Sequence, residues 1–155
     1  MEERETRGGA LRVGMRWGGI GGIVGFAASL LGSLVGILVA GFVGVACGRR
    51  AAEADGGDSA GAGALAGLVG GAVAAPVYVV GASAGALVAA RTVEMGMVAS
   101  MLSEMLGTSI TSEEAWRIFL IAVVFAAAVQ AAVFILTSVA AGAWVKRNSG
   151  QAPGL

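Results

Sequence analysis

The chain has 155 residues, 57% of them hydrophobic and 13% charged, with a mean hydropathy of +0.85. Its Lys plus Arg equal its Asp plus Glu in number, so no excess of positive charge points to nucleic acid, and a soluble domain this small could not hide so much apolar surface. One cysteine excludes an intramolecular disulfide, and the absence of histidine removes the commonest general base and a common metal ligand, so neither a metal nor a cofactor is expected.

The placement of charge says more than its amount. No charged residue occurs in Trp17–Gly48, Ser59–Ala90 or Ile118–Val145. Each run is longer than the roughly 20 apolar residues that cross a bilayer core of about 30 Å. The expected fold is therefore an all-α integral membrane protein of the cell membrane. It has three transmembrane helices, over about 23–46, 63–89 and 118–140, within a single membrane domain spanning 17–145.

Residues 1–16 read as a polar arm, rich in Glu and Arg. The charge-free run after it is far longer than the apolar core of a signal peptide, which spans roughly 7–15 residues. Gly18-Gly19-Ile20-Gly21-Gly22 is glycine-rich enough to predict a frayed or interfacial start, so the first span is centred on Ile23–Ala46. Cys47, at its end, reads as a small apolar side chain. Arg49–Ser59 is a short solvated turn, and the second span carries Pro76, which predicts a kink.

Between the second and third spans, linker 92–110 places Val98, Met101, Leu102 and Met105 on one helical face and Ser100, Ser103 and Glu104 on another. This is the pattern of a short interfacial amphipathic helix. Thr111 followed by Glu114 forms a capping box for the third span. Trp116 and Trp144 at its ends stand about 42 Å apart at 1.5 Å per residue, and Trp17 opens the first span, so all three are expected as interface anchors. Residues 146–155 form a polar tail. Three spans put the termini on opposite sides, with Arg4, Arg7, Arg12, Arg16, Arg91 and Arg117 facing one side and Arg49, Arg50, Lys146 and Arg147 the other. That balance favours a cytoplasmic amino terminus by a small margin.

Small residues at intervals of four are the leading site signal. Gly32, Gly36, Ala40, Gly44 and Gly48 hold that spacing on the first span, Gly63, Gly67, Gly71 and Ala75 on the second, with Gly81 and Gly85 beyond. Such faces let helix backbones approach closely, and packing is what joins helices in lipid. Gln130 is the one strongly polar side chain deep in a span, and it is expected to hydrogen-bond across to another helix. Gly81-Ala82-Ser83-Ala84-Gly85 matches the nucleophile-elbow pattern G-x-S-x-G, but a serine nucleophile needs a base and this chain has no histidine. Gly61-Ala62-Gly63-Ala64-Leu65-Ala66 fits a loose dinucleotide pattern without the preceding strand that such a site requires.

The segment Gly56-Gly57-Asp58, leading into Gly61, Gly63–Leu68, Gly70-Gly71 and Pro76, resembles a family of small glycine-rich multi-span membrane proteins of archaea and bacteria, over roughly Gly32 to Pro76. The resemblance implies a few closely packed helices with a Gly-Gly-Asp turn between two of them, and it brings no assigned activity, cofactor or functional residue. The functional expectation is a non-catalytic protein that acts by helix association in the bilayer, as a homo-oligomer or as an accessory subunit bound to other membrane-protein helices. The alternative is a pore, channel or holin-like assembly lined by small residues and Gln130, and a distant third is an intramembrane hydrolase acting through Ser83.

Overall fold

The computed structural model describes residues 2–55 and 59–149, with the side chains of 2–8 and 33 outside that description. The expected Gly56-Gly57-Asp58 turn and the end of the tail, 150–155, lie outside the described residues. Five helices follow one another: α1 Glu2–Leu30, α2 Ser33–Ala54, α3 Ala60–Ala90, α4 Met95–Leu106 and α5 Ser112–Ser149, with no strand among the described residues. Three of them, α2 from Leu34 onward, α3 and α5, are long and apolar enough to cross a membrane.

The run expected as the first span, 23–46, is not one helix. The chain reverses at Leu31–Gly32, where Gly32 has φ 120 and ψ 161 and no side chain at all to obstruct it. That backbone conformation is essentially reserved for glycine, so the residue expected to make a helix contact makes a turn instead. The charge-free run Trp17–Gly48 is therefore folded back on itself as a helical hairpin. Most of the predicted polar arm belongs to α1, and Gly18–Gly22 is mid-helix rather than frayed, because Gly18 and Gly22 are pressed against α3 and Gly21 against Val43 of α2.

The order of contacts fixes the direction of each helix. Gly14 lies against Gly70, Gly18 against Ala74 and Gly22 against Val77, so α1 and α3 run the same way. Gly36 lies against Gln130, Gly44 against Phe134 and Gly48 against Ser138, so α2 and α5 also run together, opposite to the first pair. α2 and α3 touch along the middle of this four-helix bundle, whereas α1 and α5 stand apart on either side of them. The core is built of small side chains, Ala40, Cys47, Ala74, Ala75 and Ala82, around two large rings, Tyr78 and Phe134, whose centroids are 5.4 Å apart.

Local signals explain the ends. The Ser59 hydroxyl accepts from the Ala62 amide at 3.1 Å and starts α3. Thr111 and Glu114 form the reciprocal capping box before α5: the Thr111 amide donates to the Glu114 carboxylate at 2.8 Å and the Glu114 amide to the Thr111 hydroxyl at 3.2 Å. α4 ends on Gly107 in the left-handed conformation, with φ 66. α3 continues through Pro76 as one helix, with the proline on an exposed face where no neighbour packs.

α4 is present but faces differently from its expected pattern. Ala99 is buried and Val98, Leu102 and Ser103 are half-buried, whereas Met101 and Met105 are exposed beside Glu104. Packing on α5 selects the face carrying the small Ala99, which lets the two helices approach, over the face carrying the long methionines.

Candidate functional site

Apart from Gly32, the predicted small-residue positions meet neighbours within the chain. Ser138 of α5 is fully buried between two other helices: a methyl added at Gly48 of α2 or at Gly67 of α3 would collide with the Ser138 carbonyl, and one at Gly71 would sit 3.0 Å from its Cβ. The Ser138 hydroxyl donates to the Gly67 carbonyl at 2.8 Å. Gly63 abuts the Gly142 carbonyl, Gly81 abuts Gly22, and Gly85 abuts the Phe26 carbonyl. Gly44 faces Thr137 and the Phe134 carbonyl, while Ala40 and Ala75 are core residues. Gly41, in the same stretch, faces only the Val133 side chain at 3.8 Å.

Sequence reasoning missed the other half of these contacts. Ser138 and Gly142 are themselves four residues apart but sit within the long apolar run of the third span, and Gly14, Gly18 and Gly22 of α1 fall in the segments read as an arm and a frayed end. The available signal was the interval of four from Gly14 through Gly18 to Gly22, which matches the interval on α3. Tyr78 was also missed; it is fully buried and its hydroxyl donates to the Gly36 carbonyl at 2.6 Å, tying α3 to the start of α2.

Gln130 is 4% exposed and its Nε2 lies toward Gly36, where an added Cβ would come within 2.7 Å. Its Oε1 has no hydrogen-bond partner. It lines a half-open cavity of about 450 Å³, bounded by the last turn of α1, by α3, by the start of α4 and by α5. The polar side chains on this lining are Ser29, Ser83 and Gln130, and none of the lining residues is charged. The cavity is the space that α1 and α5 leave between them when both pack on the central pair.

The predicted tryptophan anchors and Cys47 are separate from this cavity. Trp17 is half-buried and packs on the core, Trp116 stacks on Phe119 with centroids 5.5 Å apart, and Trp144 is exposed. A second cavity, of about 490 Å³, lies between α1 and the end of α2 and is lined by Arg16, Trp17, Arg50 and Glu53 among others. Cys47 is a fully buried free thiol in the core. Ser83 lies inside the uninterrupted helix α3, not on the strand-turn-helix that a nucleophile elbow requires. Among the described residues no group of His, Cys, Asp and Glu is arranged to hold a metal. Comparison with protein-family models, with characterised proteins and with solved structures returned no match.

Proposed function

We propose that this chain is a multi-pass membrane protein that works by association, as a subunit held against the helices of another membrane protein. The glycine faces that promised contacts are occupied within the chain, so the docking surface lies where the fold leaves an element half covered. That element is α4, which packs on α5 alone. Met97, Met101 and Met105, four residues apart, form its exposed ridge, and Glu94 and Glu104 border it. Methionine adapts its shape to irregular partners. The acidic border favours a partner helix with an apolar stripe flanked by Lys or Arg, and it sets a second copy of this chain at a disadvantage, since like charges would face each other.

The exposed ridge of α4 is the observation that carries this reading. Affinity purification of the full chain from native membranes in mild detergent, with native mass measurement, tests it. A stoichiometric partner is expected with the wild type, and it is lost on Met97→Ser combined with Met101→Ser and weakened by Glu104→Lys. A lone chain, or a complex indifferent to all three changes, would overturn the proposal. A pore assembly draws less support, because the small residues that would line its path are covered by intramolecular neighbours; dye release from reconstituted vesicles is the readout that would restore it.

A further inference from the structure

We infer that the cavity beside Gln130 is a binding site for an uncharged aliphatic alcohol, a lipid-like molecule with a long hydrocarbon body and one hydroxyl. Its volume of about 450 Å³ falls in the range of small-molecule sites. Most of the lining is aliphatic or aromatic, with Ala86, Met95, Val98 and Phe119 from three different helices. Such a lining accepts a hydrocarbon body.

Gln130 supplies the polar half of the argument. A buried amide oxygen without a partner is unfavourable, and such groups in native proteins are nearly always satisfied by protein, water or ligand. The oxygen is closed off from water as the amide stands, so a group in the cavity reaches it only with the two ends of the amide exchanged, and one water there would leave the rest of the apolar space unfilled. A hydroxyl both donates and accepts, so it meets the amide whichever way the amide is turned. The Ser29 and Ser83 hydroxyls on the same lining are available for its second hydrogen bond. A carboxylate or phosphate would bring a charge against a lining that has none to balance it. The gap between α1 and α5 gives the route of entry, and only that route, from surrounding lipid, rests on the membrane reading above.

The full chain in detergent, photolabelled with a diazirine-bearing hexadecanol and mapped by peptide mass spectrometry, tests the inference. Diazirine-bearing palmitate and hexadecane serve as the charged and non-polar comparisons. The alcohol is expected to label peptides from 82–90 and 119–130 about tenfold more than hexadecane does, the ratio that one good hydrogen bond supplies, and also more than palmitate, whose charge the lining does not balance, and unlabelled hexadecanol is expected to compete. Gln130→Leu should lower the alcohol labelling about tenfold while sparing hexadecane, and Ala86→Phe should abolish both by filling the space. Equal labelling by all three probes, labelling outside these peptides, or no alcohol labelling, as a cavity holding water alone would give, overturns it. The competition on the wild-type chain decides the matter even if a variant fails to fold.

Discussion

Three glycines in one stretch, Gly32, Gly41 and Gly48, separate the reasons for which a helical protein keeps glycine. An added methyl finds nothing within 4 Å at Gly32, only Val133 at 3.8 Å at Gly41, and the backbone of Ser138 at Gly48. Space alone would therefore rank Gly32 and Gly41 as equally tolerant. Conformation divides them, since Gly32 has φ 120 while Gly41 is helical. Gly41→Ala is expected to be neutral or to stabilise by up to about 1 kcal/mol through helix propensity. Gly32→Ala should cost about 1–3 kcal/mol through backbone strain, and Gly48→Ala about 1–3 kcal/mol through overpacking against α5. Unfolding titrations of the three variants in mixed micelles check the order; a Gly32 variant as stable as the Gly41 variant would mean that the turn is not as described. Larger substitutions at Gly36 and Gly67 are read by the same contacts. Leucine at either site would meet Gln130 or Ser138 of the same chain, so the loss falls on folding before it reaches any assembly.

At the scale of elements, helix α4 is the piece least tied down. It rests on α5 alone, and its connection onward is held by the Ser103 hydroxyl, which accepts from the Ile110 amide at 2.8 Å and donates to the Ala99 carbonyl at 2.7 Å. Gly107, with φ 66, closes the helix where a side chain would be strained. Gly107→Val is expected to raise amide exchange across 95–110 by about tenfold, from a penalty of about 1–2 kcal/mol in the left-handed region, while exchange in α3 stays unchanged. Equal loss of protection in both helices would show that α4 is part of the cooperative core. The existence of α3, α4 and α5 and the capping box at Thr111 were legible in the sequence, because each depends on local periodicity or local chemistry. The hairpin was not. A charge-free run reads the same whether it is stretched or doubled back, and the one residue that decides, Gly32, also sits in register with Gly36, Ala40 and Gly44. The cavity was illegible for a related reason: Gln130 announces a polar need, but which groups surround it follows from two helices, α1 and α5, that fail to meet.

The doubled-back hairpin changes how charge is distributed over the whole molecule. With α1 and α3 running one way and α2 and α5 the other, Arg12, Arg16, Arg49, Arg50, Lys146 and Arg147 gather toward one end, where the Lys146 ammonium donates to the Asp55 carbonyl at 2.9 Å. The other end holds Arg91 and Arg117 with Glu94, Glu104, Glu113 and Glu114. Three simple crossings gave a nearly even division of basic residues; the hairpin gives six against two among the residues whose side chains are described, a bias that retains basic ends in the cytoplasm. The tip of the hairpin carries no charge and exposes Leu30, Leu31 and Leu34, which suits a turn that stays in contact with lipid. The prediction is that the amino terminus, the α2–α3 turn and the carboxyl terminus share the cytoplasmic side, with the α4 linker opposite. In a Cys47→Ala background, cysteines placed at Glu53, Thr108 and Asn148 and treated with a membrane-impermeant maleimide on intact cells distinguish the arrangements. Thr108→Cys alone should label from outside, and Glu53→Cys and Asn148→Cys only after the membrane is opened. A chain with three independent crossings would instead expose Glu53→Cys together with Asn148→Cys while keeping the amino terminus inside, so a reporter fused to that terminus completes the test. A terminus on the opposite side from Glu53 would show that α1 and α2 do not enter the bilayer as a hairpin.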